Sequence, residues 1–159
     1  MFARPLRCLL IAGIALVASF PGAASAGGNA ADIKACALLT LAEIKQATGA
    51  TMGAGLLQTT DTQASCDWNA PDGAPGASAV GVSVQDYDDD LWKNMTASKL
   101  AIPVSGIGEK AFKNYPHKGD LSVKVGKYEV GVGIVDFNHN DATVDAAALK
   151  LMKLVLSRL

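Results

Sequence analysis

Two cysteines thirty positions apart, Cys36 and Cys66, constrain this chain more than any other feature. A third, Cys8, stands at the edge of an apolar run that reads as a removable leader. Arg4 and Arg7 give a positive start, Leu9 to Phe20 an apolar stretch too short to span a bilayer comfortably, and Ala24-Ser25-Ala26 a small-residue cleavage site. Residues 1–26 are therefore expected to be a signal peptide, cleaved before Gly27, and residues 27–159 a single domain. An exported product keeping an even number of cysteines favours a disulfide between them. Closing a loop of about thirty residues is worth ~3.5–4 kcal/mol in the chain-entropy model. A redox pair or a metal site is the rival reading. There is no Cys-x-x-Cys, and no His stands at ligand spacing.

Cleavage also sets the charge. With Arg4 and Arg7 gone, 12 basic residues face 15 acidic ones, a formal charge of −3. That balance argues against a nucleic-acid partner, which needs a basic footprint. No basic run suggests a membrane-surface helix. No cysteine stands at the cleavage point, so no membrane anchor is expected after cleavage. The expected location is the bacterial periplasm or exterior, in soluble form.

Cys36 leads into a fully punctuated helix. Thr40 is its N-cap, Glu43 completes a capping box, and Leu39 with Ile44 can close as a hydrophobic staple. Leu41, Ile44 and Thr48 share one helical face, with Ala47 beside them, and Gly49 supplies the left-handed stop. The Glu43 carboxylate is thus expected to cap, not to catalyse. Cys66 and Trp68 fall on one side of a short strand over 65–69, since side chains alternate. A weak strand is expected near Leu56-Leu57. After a Pro- and Gly-rich turn over 70–78, Val80, Val82 and Val84 alternate with Gly81, Ser83 and Gln85, a strand with one buried face.

Asp86 to Asp90 close that strand and open a helix from Leu91 to about Lys99, with Leu91, Trp92 and Met95 apolar and Pro103 ending the pattern. A brief strand over 110–113 and a turn over 117–120 precede a hairpin, 121–125 and 128–137, joined by Gly126-Lys127 as a type II′ turn. In its second arm Tyr128, Val130, Val132 and Ile134 face one way, and Glu129, Gly131, Gly133 and Val135 the other. The two glycines leave flat backbone, open to a covering helix or a close ligand. The covering helix is the expectation. A final helix runs from an Asn140 or Asp141 cap, with a stripe at Val144, Ala148, Leu151 and Val155 and cations toward its end. Tight turns between strands predict an α+β fold: a mostly antiparallel sheet with helices packed on it.

Chemistry is sparse. Asp86, Asp88 and Asp90 have the spacing of a calcium loop, but its sixth and twelfth positions are Leu91 and Ala97 where Gly and Glu are needed. A solvated strand end capping the next helix is the simpler reading. His117 and His139 sit in turns without a motif for metal binding or nucleophile activation. No Gly-x-Ser-x-Gly or phosphate loop occurs. No catalytic, metal or cofactor residue is assigned, and no cofactor is expected.

The pattern Cys36-x-Leu-Leu-Thr-x-x-Glu43, Gly49, Cys66-x-Trp68 and Gly106-Ile-Gly108-Glu-x-Ala-Phe112 resembles a group of uncharacterised exported bacterial domains. These are similar to small actinobacterial lipoproteins of unknown function. The resemblance implies a Mog1/PsbP-like sandwich and transfers no catalytic residue. This chain departs from the pattern in lacking a lipobox cysteine. The functional expectation is a periplasmic or secreted binding module whose partner is an envelope protein or a small apolar ligand. Its surface is expected around Tyr128, Val130, Val132, Ile134 and Phe137. The competing classes are a hydrolase-like enzyme and a structural envelope component.

Overall fold

Among the described residues, strict alternation along the chain becomes one antiparallel sheet of seven strands. The structure, a computed structural model, describes residues 28–72, 76–114 and 119–159. The expected leader, the tip of the 70–78 turn, Tyr115 and His117 lie outside the described residues. The strands are β1 (Leu56–Thr59), β2 (Gln63–Asn69), β3 (Ala79–Asp86), β4 (Ala101–Pro103), β5 (Lys110–Asn114), β6 (Leu121–Val125) and β7 (Tyr128–Val135). The helices are α1 (Leu41–Thr48), α2 (Asp89–Thr96) and α3 (Asp141–Leu156). Two 3-10 turns, Ala30–Asp32 and Ala35–Ala37, precede α1. The order across the sheet is β1-β2-β3-β7-β6-β5-β4. The fold is α+β, as the turn spacing predicted, with one disulfide, as the cysteine count predicted. Among the described residues, no helix is long and apolar enough to cross a membrane.

One face of the sheet is the core. Cys66 and Trp68, Val80, Val82 and Val84, and Val130, Val132 and Ile134 are all buried there. Helix α3 lies against β7 and β6, the 3-10 turns lie against β2 and β3, and α1 packs on α3. Burying each of these large side chains contributes roughly 1.5–3 kcal/mol. Cys36 and Cys66 are joined, with Cα atoms 5.0 Å apart, so the link ties the second 3-10 turn to β2. The chain passes so close over this link that a Cβ on Gly55 would sit 2.6 Å from both Cys66 Sγ and Trp68 Nε1.

Helix α1 is held by its own ends. Thr40 Oγ1 accepts from the Glu43 N–H at 3.3 Å, and the Glu43 carboxylate accepts from the Thr40 N–H at 2.9 Å. Gly49 ends the helix at φ 75. Arg158, just past α3, donates to Glu43 Oε1 at 2.5 Å, to Glu43 Oε2 at 2.9 Å and to the Leu38 carbonyl at 2.6 Å. Arg158 and the cap hold the Glu43 carboxyl down to about 2. Leu41, expected on the buried face, is exposed, while Ile44 and Thr48 are buried. Its place in the first turn puts it beyond the cover that α3 gives.

The hairpin turn is as expected. Gly126 takes φ 55 and Lys127 does not turn left-handed, which is the type II′ pattern. Strand β4 was not foreseen, because Pro103 argued for a break. It lies at the sheet's edge, where a proline's missing N–H is tolerated.

Candidate functional site

The second face of the sheet is polar, and its residues are brought together by register. Asp67 opposes Gly81, which opposes Gly133. In the next row Ser65, Ser83, Gly131 and Ser122 stand side by side across four strands. Gln63, Gln85, Glu129 and Lys124 make the row after that. Small side chains leave a hollow of ≈ 370 Å³, lined by these three rows except Lys124, and by Asp120 at the foot of β6. The size is at the lower end of small-molecule sites, roughly 300–1,000 Å³.

Among the described residues, no helix closes this hollow. Asp88 caps α2 through the N–H groups of Asp90 and Leu91, both at 2.8 Å. The helix then sets Trp92 edge-on to Phe112 of β5, ring centroids 5.0 Å apart. Phe112 opposes Ser122, so this aromatic pair sits on the polar face. Tyr87 extends the cluster toward Lys124, whose ammonium lies 4.8 Å from its ring centroid and also pairs with Glu109. The aromatic cluster covers the β5 end, and the β2, β3 and β7 part stays open. The covering helix expected over Gly131 and Gly133 instead covers the opposite, valine-rich face.

Glu129 is the unusual group. It is 5 % exposed, and its Oε2 accepts from Gln85 Nε2 at 3.0 Å. Burial raises its pKa, and the Gln85 hydrogen bond offsets only part of that. Among the described residues no ion pair reaches Glu129, Asp67 or Asp120. Asp67 accepts from Gln58 Nε2 and Asp120 from Asn114 Nδ2, each at 3.2 Å. A Cβ at Gly131 would meet Ser83 Oγ at 2.5 Å, so that hydroxyl would have to rotate away to admit a side chain. At Gly133 a Cβ would meet nothing within 4 Å.

The sequence-predicted surface does not assemble. Val130, Val132 and Ile134 are 0 %, 1 % and 5 % exposed and belong to the core. The physical reason is that the apolar face of a half-buried strand is the one a helix covers. Tyr128 is half-buried, its hydroxyl donating to the Gly28 carbonyl at 2.9 Å. Phe137 alone stands out, at 83 % exposure. Leu91, expected on the apolar side of α2, is also exposed.

The remaining candidates have structural roles. Asp86 accepts from the Ala30 N–H, Asp89 from the Tyr87 hydroxyl, and Asp90 pairs with Lys93. His139 Nδ1 lies 2.7 Å from Asp136 Oδ2. The other Asp136 oxygen accepts from the N–H groups of Asn138 and His139. Burial pushes Asp136 up, but these hydrogen bonds outweigh it and leave the carboxyl below its usual range. The pair sits in the turn after β7, away from the residues that line the hollow. The chain matches no known protein family, curated protein or solved structure.

Proposed function

We propose that this protein is an exported, soluble binding module, and that the polar hollow on its sheet is the working surface. The observation that carries the reading is an uncovered floor of glycine and serine on the central strands. Apolar side chains or a second helix layer would ordinarily occupy such a place. Three carboxylates and three serine hydroxyls are convergent polar groups of the kind that orient a small polar ligand. The Cys36–Cys66 link supports an oxidising compartment, and the likeness to exported bacterial domains points the same way. The lining favours a polar ligand over an apolar one. Catalysis is the weaker reading, because the Asp136–His139 pair lies in the turn after β7 and is not among the residues that line the hollow.

The test fills the hollow without disturbing the fold. Gly133→Leu places a side chain where nothing stands within 4 Å. A library of small polar metabolites, screened by amide shifts of Gly81, Gly131 and Gly133, should give hits that this variant abolishes. A library without hits, or hits indifferent to the variant, would count against the reading. Exposed Phe137, with exposed Val135 nearby in sequence, supports a second reading in which an envelope protein docks at the end of β7. Loss of a periplasmic partner in Phe137→Ala but not in Gly133→Leu would favour that surface.

A further inference from the structure

We propose that the hollow takes an organic cation, a molecule bearing one or more protonated amines, and that Glu129 is the residue that selects it. The inference rests on the hollow being a binding site and adds the chemistry of its ligand. Its first support is sign. Asp67, Asp120 and Glu129 line one concavity, and among the described residues no Lys, Arg or His side chain lines it with them. Lys124, which opposes Glu129 across the strand pair, turns its ammonium to Glu109 and the Tyr87 ring instead.

The second support is an acceptor left open. Glu129 is nine-tenths buried and has Gln85 as its hydrogen-bond donor, on Oε2. Among the described residues no enclosed side-chain oxygen or nitrogen lacks a partner. The second oxygen, Oε1, accepts nothing from the described residues, so it is the one that the opening reaches. A carboxylate buried without a cation is costly, and a ligand ammonium would supply the missing charge.

The third support is spacing. Asp67 aligns through Gly81 with Gly133, four residues along β7 from Glu129, or about 14 Å at strand rise. Acids so dispersed do not converge on one metal ion. Among the described residues no three His, Cys, Asp or Glu side chains gather as a metal would need. An extended organic cation, crossing the row of Ser65, Ser83 and Ser122 that lies between the Asp67 and Glu129 rows, fits the layout.

The experiment uses three four-carbon probes that differ in charge: putrescine, butanediol and succinate. Each is titrated into the mature protein while the Gly131 and Gly133 amides are followed by NMR. Putrescine should give saturable shifts and bind at least tenfold tighter than the diol, and succinate should not bind. Glu129→Gln, which keeps a hydrogen-bonding amide beside Gln85, should weaken putrescine about tenfold, the worth of one charge-assisted contact, and leave the diol unchanged. Gly133→Leu should abolish the shifts. Equal binding of diol and diamine, or putrescine binding indifferent to Glu129→Gln, overturns the cation assignment while leaving the hollow as a site. The absence of saturable putrescine shifts up to roughly 10 mM overturns it as well. Failure of every library compound at the Gly133-sensitive amides would remove the site itself.

Discussion

Reducing the Cys36–Cys66 bond should cost this fold a quarter or more of its stability. The link closes a loop of 30 residues between a 3-10 turn and β2. In the chain-entropy model that loop removes about 12 cal/mol/K from the unfolded state, or ~3.6 kcal/mol at 25 °C. Unfolding entropy near 2.1 cal/mol/K per residue gives ~0.27 kcal/mol/K for about 130 residues, so the melting temperature should drop by ~13 °C. The assay is calorimetry and urea unfolding of oxidised protein beside the same protein held reduced, which keeps both side chains, buried Cys66 and half-buried Cys36, in place. The urea slope should rise on reduction, because the unlinked chain exposes more surface when unfolded. A reduced protein melting within about 3 °C of the oxidised one would refute the loop argument, since ~3 °C is under 1 kcal/mol here. Free thiols in the native protein as isolated would refute it at the root.

The Glu43 carboxyl titrates near 2 when folded, against an ordinary 4.5, so its contribution is full above about pH 4.5 and is lost as pH falls from there toward 2. Acid unfolding curves of Glu43→Gln and the native chain should therefore differ at neutral pH and converge near pH 2, and Thr40→Ala should separately cost ~1 kcal/mol. Gly55→Ala forces a Cβ to within 2.6 Å of Cys66 Sγ and Trp68 Nε1, which should cost ~1–3 kcal/mol in urea unfolding with a perturbed Trp68 fluorescence. Gly133→Ala meets nothing and should stabilise by ~0.5–1 kcal/mol, since alanine gives up less backbone freedom on folding. Burial raises the Glu129 pKa, so the folded state holds its proton more tightly and stability falls as pH rises above the ordinary carboxylate value. Glu129→Gln should thus raise the melting point at pH 7 and lose that advantage below about pH 4.

Local features were legible in the sequence. The capping box, Gly49, the type II′ turn and the valine alternation each declare themselves within a few residues, because the forces involved act over one turn or one pleat. Strands β1 and β4 were harder, being short, exposed and at the sheet's two edges, where burial imposes no pattern. The site was legible only in part. Gly131 and Gly133 signalled bare backbone, but which face α3 would choose is a tertiary outcome decided by where valine and isoleucine stand. Glu129, Asp67 and Ser122 carry no motif, since they meet through strand register and not through spacing along one segment. Choosing the apolar side of β7 as the binding face erred for the same reason: exposure belongs to the side that packing leaves over.

The strand order has one more implication. Strands β1 to β3 form a run of neighbours, and so do β4 to β7, and the two runs are stitched only along β3 and β7. The hollow straddles that stitch, drawing Ser65 and Ser83 from one run and Ser122 and Glu129 from the other. It does not exist until both halves of the sheet have zipped together. Any molecule seated there acts as a latch across the join, and adds RT ln(1 + [L]/Kd) to the hold of one half upon the other.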